Sequence, residues 1–189
     1  LALGRAEALI AELREVARID SGRQAPRPAP FAVDALLREL YAEYAPAAAR
    51  KGLVLRLRTS GLWLFTDRRL VYRVLQNLVG NAIKYSRRGK VLVGVRRRAG
   101  AVELQVLDQG PGIPEADRDR IFHEFERLGG ADGDNGLGLG LAIVQRYATL
   151  LDLPLRLSSA LGRGSLFSIV VPLGKPVREA GAELRAPRM

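Results

Sequence analysis

Apolar residues recur at spacings of three and four over the first twenty positions, at Leu3, Ala6, Ile10, Leu13 and Ala17. That stripe predicts a helix that packs against other helices. Gly22 ends it, and residues 23–30 carry three prolines, so this stretch reads as a short, stiff linker between two units. Residues 1–22 then form one unit, and 31–174 a second. In the second, the pattern predicts a helix over Val33–Lys51, a strand over Val54–Arg58 and a long helix over Arg68–Tyr85. Val91–Arg97 and Val102–Leu107 alternate or run apolar around Gly100, as a hairpin does. Leu155–Ser158 and Leu166–Val171 form a second antiparallel pair around Gly162 and Gly164, after a helix over Gly138–Leu151. Leu128–Asn135 is rich in Gly and Asp without periodicity and reads as a mobile loop, and Lys175–Met189 as a disordered tail or linker. Helices interspersed with mostly antiparallel strands give an α+β fold, a two-layer α/β sandwich with one layer of helices on one mixed sheet.

The bulk composition narrows the function classes. No run approaches the roughly 18 apolar residues that would span a bilayer, and no signal peptide opens the sequence, so a soluble, cytoplasmic unit without direct membrane contact is expected, whether or not a longer parent protein is anchored in the inner membrane. Absent cysteine excludes disulfides and thiolate metal sites, and a single histidine, His123, excludes a histidine-rich one. The net charge of +10 invites a nucleic-acid reading. The arginines are scattered, however, and the clusters Arg87–Arg88 and Arg96–Arg98 are not interleaved with aromatics, so nucleic acid is not the expected partner.

Three segments carry chemistry. On the long helix, Asn77, Asn81, Lys84 and Tyr85 share one face. Asparagine is a poor helix former, so two of them one turn apart in mid-helix point to binding, against the plainer reading of a solvated face. An amide oxygen can ligate a hard cation such as magnesium, and a lysine one turn on can meet the phosphates that the cation bridges. Next, Asp108, Gly110 and Gly112 stand where the strand Val102–Leu107 ends, either as a turn or as a site where a planar base is held close to the backbone. Last, Gly136, Gly138 and Gly140 precede a helix, whose free N–H groups attract phosphate. There is no G-x-x-x-x-G-K-[ST], and these glycines follow a loop and not the strand of a dinucleotide-binding unit.

In order and spacing these segments resemble the boxes of sensor histidine kinases. Gln76 to Ser86 resembles the N box, Asp108 to Ile113 the G1 box, Phe122 to Arg127 the F box, Gly136 to Leu141 the G2 box, and Gly162 to Phe167 the closing strand motif. The resemblance covers Phe31–Leu173 and implies the Bergerat ATP-binding fold, with ATP and magnesium as cofactors. It implies that Asp108 accepts a hydrogen bond from the adenine amine, that Asn81 is the magnesium ligand, and that Lys84 contacts phosphate. Tyr85 would pack on adenine, and Gly138 and Gly140 would cradle phosphates. The remaining nucleotide contacts implied are Gly110, Gly112, Ile113, Phe122, Gly136, Leu137, Leu139, Leu141 and Ser165. Leu128–Asn135 becomes a lid anchored by Phe122 and Phe125, and Arg127 reaches either the phosphates, the partner helix or only solvent.

Hydrolases of the same superfamily carry a glutamate four residues before the magnesium asparagine. Here that position is Asn77, which takes no proton, so the catalytic pair Asn77 and Lys84 implies phosphoryl transfer and not hydrolysis. Leu9–Gly22 resembles the end of the second helix of the dimerisation hairpin, whose first helix would carry the phosphorylated histidine. His123 lies in the F box and is not expected to replace it. Mg-ATP binding without autophosphorylation on histidine, a response regulator or receiver domain as partner, and self-association through the first helix are the resulting expectations. A degenerate scaffold module and a serine kinase of the anti-sigma type are the alternatives.

Overall fold

The alternation over residues 101–107 seeds the sheet. Val102, Leu104 and Val106 point to one side and are buried, and Glu103, Gln105 and Leu107 point to the other. The computed structural model describes residues 2–22, 24–126 and 138–176. Its elements are α1 (Ala2–Asp20), β1 (Ala29–Ala32), α2 (Val33–Arg50), β2 (Leu53–Leu57), β3 (Trp63–Thr66), α3 (Arg68–Tyr85), β4 (Gly89–Arg98), β5 (Ala101–Leu107), α4 (Gly140–Leu150), β6 (Leu155–Ala160) and β7 (Gly164–Pro172), with two single 3-10 turns between β5 and α4.

Five strands run in the order β2-β4-β5-β7-β6, with β2 parallel to β4 and every other pairing antiparallel. One layer of helices covers one face. Leu36, Leu37 and Leu40 of α2, Leu70, Val74 and Leu78 of α3, and Ile143 and Tyr147 of α4 share a continuous core with Val93, Leu104 and Ile169 of the sheet. Asp67 starts α3 by accepting hydrogen bonds from the Arg69 and Leu70 N–H groups, at 3.0 and 3.2 Å. The Lys51 ammonium closes its other end, donating to the carbonyls of Ile83 at 2.8 Å and of Lys84. Among the described residues no helix is long and apolar enough to cross a membrane.

Two features depart from the sequence reading. The proline-rich stretch ends in β1, which pairs with β3 as a separate two-stranded ribbon, and β3 had no counterpart in the expected elements. Pro30 is tolerated because β1 has a neighbour on one side only. A second departure concerns α1, which lies on α4 and contributes Val16 and Ile19 to the same core. Its stripe residues Ile10 and Leu13 stay 53% and 41% exposed, and Ala17 is exposed too.

On the open face of the sheet, Glu103 is only 4% exposed. It accepts hydrogen bonds from Arg98 Nε at 2.8 Å and Ser168 Oγ at 2.8 Å, and pairs with Arg98 Nη2 at 2.6 Å. Burial pushes its pKa up, but the Ser168 and Arg98 donors outweigh burial and hold the carboxyl below its usual range. Glu103→Ala should therefore cost roughly 2 kcal/mol of folding stability, read from urea denaturation at neutral pH. Because the folded pKa is depressed, this contribution exists above the ordinary glutamate range and fades as pH falls through the folded value. The two proteins should converge in acid, and an equal deficit there would contradict the assignment.

Candidate functional site

The sheet-facing side of α3 is apolar, so its opposite side is left to look into the space between α3, the end of β5 and the start of α4. That space is a cavity of about 900 Å³. Asn77, Asn81, Lys84, Tyr85, Asp108, Gly112, Ile113, Gly138, Leu139, Gly140, Leu141 and Ser165 all line it, so the three segments singled out in the sequence converge on one site. Gly110 and Phe122 are not on its wall. Gly110 stands behind Asp108, and Phe122 packs edge-on against Phe167, which does line the cavity, with ring centroids 6.5 Å apart. Gly136, Leu137, Arg127 and the expected lid Leu128–Asn135 lie outside the described residues.

Asp108 follows β5 directly and is 8% exposed. Its Oδ1 accepts from the Gly110 N–H at 2.8 Å and the Ser165 N–H at 3.3 Å, which leaves Oδ2 available to a donor in the cavity. Burial raises its pKa, and the two N–H groups offset this only in part. Behind it, Ser159 Oγ donates to the Gly164 carbonyl at 3.0 Å, accepts from the Ile113 N–H at 2.8 Å and meets Ser165 Oγ at 2.9 Å. Having spent its proton on Gly164, Ser159 must accept from Ser165. This network ties the 108–113 turn to β6 and β7, so the carboxylate is held in place before any ligand arrives.

Asn77 Nδ2 donates to the Arg73 carbonyl one turn back, at 2.9 Å, so the amide oxygen is the atom it offers elsewhere. Gly140 begins α4 against both amides. A Cβ there would lie 3.2 Å from Asn77 Oδ1 and 3.4 Å from Asn81 Nδ2. The N-cap residue Leu139 makes no side-chain cap, so among the described residues the first N–H groups of α4 are left to face the point where the asparagines stand. Lys84 Nζ sits 4.9 Å from the Tyr85 ring centroid and 3.3 Å from its hydroxyl, and that ring is 42% exposed. The set fits a magnesium nucleotide: a buried acceptor for a base amine at one end, hard amide oxygens and a helix start for metal and phosphate at the other.

Several lining residues escaped the sequence reading. Glu12 and Glu15 of α1, and Glu43 and Tyr44 of α2, belong to elements read as packing or linker structure, and nothing in their local pattern marks a site. Only the docking of α1 on the second unit brings Glu12 and Glu15 there, while Glu43 and Tyr44 arrive with α2.

Residues 66–175 match the family described as histidine kinase-, DNA gyrase B- and HSP90-like ATPases, and the chain belongs to that family. It is 36% identical over 168 residues to the sensor-like histidine kinase SenX3 of Mycobacterium tuberculosis, covering 87% of this chain and 41% of that protein. The chain thus spans well under half the length of this relative. Its fold is similar to the crystal structure of full-length ShkA in complex with AMPPNP, with a TM-score of 0.79 and 28% identity over 89% of this chain and 36% of that one. It is also similar to the nucleotide-free catalytic domain of histidine kinase ThkA, with a TM-score of 0.68 and 25% identity over 77% of this chain and 95% of that one.

The turn that carries Asp108 depends on Gly112. Its φ is +73°, and a Cβ would fall 2.0 Å from the Ala160 carbonyl oxygen. Gly112→Ala should lower stability by roughly 1–3 kcal/mol, seen as an earlier thermal transition. A transition matching that of the parent would mean that this turn is free to rearrange.

Proposed function

We propose that this chain is the ATP-binding catalytic unit of a sensor histidine kinase, which transfers the γ-phosphoryl group of Mg-ATP to a histidine supplied by the rest of a longer protein, for relay to a response-regulator aspartate. The observation that carries the reading is the pair of amides on α3 facing Gly140, with Asn77 where a hydrolase needs a proton acceptor. An amide cannot serve as a general base for water. Catalysis at such a site is positioning and charge neutralisation.

In this reading Asp108 accepts the adenine amine, Asn81 is the magnesium ligand, and Lys84 and the start of α4 meet the phosphates. Tyr85 packs beside the base. Bound magnesium would neutralise phosphate charge, while the protein groups hold the reacting group in line and exclude water. The exposed stripe Ile10, Leu13 and Ala17 on α1 supports self-association through that helix. His123, the single histidine of the sequence, lies beside the F-box aromatics and is not the acceptor. The scaffold and serine-kinase alternatives are not favoured, since Asp108, Asn81 and Lys84 all line one cavity and the relatives are sensor kinases.

Calorimetry with a non-hydrolysable ATP analogue should show binding that strengthens with magnesium, and Asn81→Ala should remove most of that gain. Asp108→Asn should weaken binding about tenfold or more at pH 7. The parent should also lose affinity on acidification. Its raised pKa means that the carboxylate is protonated above the ordinary aspartate range as pH falls, whereas the Asn variant should show no such step. Incubation with labelled Mg-ATP should leave His123 unphosphorylated. Phosphohistidine on the chain, or a folded parent that binds no nucleotide, would overturn the reading.

A further inference from the structure

Among the described residues, the charges around the cavity are the wrong way round for a polyanion. Among the described residues its wall carries the carboxylates of Glu12, Glu15, Glu43, Asp108 and Glu126 against the cations Arg73 and Lys84. Four of these five carboxylates already have a hydrogen-bond or ion-pair partner. Asp108 is held by backbone N–H groups, Glu43 accepts from the Tyr72 hydroxyl at 2.6 Å and from Gln76 Nε2 at 2.9 Å, and Glu126 pairs with Arg120 at 3.0 Å. Glu15 accepts from the buried Tyr147 hydroxyl and lies 4.0 Å from Arg73 Nε. Glu12 has the Lys84 ammonium as its attractive charge, and burial raises its pKa against that attraction.

These two carboxylates cannot easily turn away. α1 is seated by Val16 and Ile19 in the core, by Arg18 Nε donating to Gln24 at 3.0 Å, and by Arg146, which bonds Asp20 at 2.9 Å and also pairs with Glu124. A triphosphate that recruits Lys84 therefore leaves Glu12 facing like charge across the same partly desolvated wall. Magnesium removes much of the nucleotide's negative charge, so the same carboxylates oppose the metal complex far less.

We propose that Glu12 and Glu15 are specificity-determining residues of this cavity, admitting the magnesium-bound nucleotide and rejecting the metal-free one. The inference rests on the nucleotide reading above. It assigns to the first helix a part in substrate selection in addition to packing.

The test uses the full chain and a non-hydrolysable ATP analogue, titrated once with excess magnesium and once with a chelator. Glu12→Gln should tighten metal-free binding about three- to tenfold and change metal-bound binding by about twofold or less. Glu12→Lys should tighten metal-free binding further, and Glu15→Gln, whose amide oxygen still accepts from Tyr147, should act in the same direction. Glu7→Gln, exposed on α1 and off the cavity wall, should do neither. A graded response to charge is what a purely structural role would not produce. An unchanged ratio of the two affinities overturns the proposal. So does weaker metal-bound binding in Glu12→Gln, which would make the carboxylate a metal ligand. If the parent, folded by circular dichroism, binds in neither condition, it is the nucleotide reading that fails; if it binds and the Glu12 variants leave the ratio alone, only this inference fails.

Discussion

The packing of α3 on the sheet fixes where its polar face points, and the rest of the site is arranged around that face. Leu70, Val74, Leu75 and Leu78 are buried against the strands, so Asn77, Asn81 and Lys84 have one direction left. α4 then approaches that face so closely that a Cβ on its first residue would crowd both amides, which stand within 3.4 Å of where it would be. Two poor helix-forming residues in mid-helix and a helix start without a cap from its N-cap residue are each unfavourable alone. Together they form a polar junction between two helices otherwise joined by apolar contact, and on the proposed reading this is where the cation and phosphates bind.

The other end of the cavity has a different logic. Asp108 is positioned by backbone N–H groups from its own turn and from β7, and a serine pair locks that turn to the adjacent strands. Burial makes its charge costly, which a bound donor would relieve. α1 supplies the third element. Its carboxylates enter a cavity whose described residues include few cations, so on the proposed reading the metal is needed to make the nucleotide acceptable as well as to assist transfer.

Much of this was legible in the sequence because it is local. Period and glycine spacing predict α2, α3, α4 and the strands β2 and β4 to β7 to within a few residues, and the asparagines, Asp108 and the glycines of the 138–140 turn stand out as residues out of keeping with their elements. What was not legible depends on partners distant in the chain. β1 and β3 are four residues each, and β1 contains a proline, so neither has a pattern of its own until the other is beside it. Glu12 and Glu15 look like ordinary polar positions on an amphipathic helix. Only the burial of Val16 and Ile19, which the helical stripe of Leu3, Ala6, Ile10, Leu13 and Ala17 does not include, turns them toward the cavity. Phe122 shows the converse: its motif pointed to the nucleotide, while its ring supports the wall from behind.

The most direct measurement is a crystal structure of the chain with magnesium and a non-hydrolysable ATP analogue. The base amine should lie within hydrogen-bond distance of Asp108 Oδ2, the metal on Asn81, and the phosphates at the start of α4 beside Lys84. A nucleotide bound outside this cavity, or inside it with the base against the asparagines and the phosphates toward Asp108, would overturn these assignments.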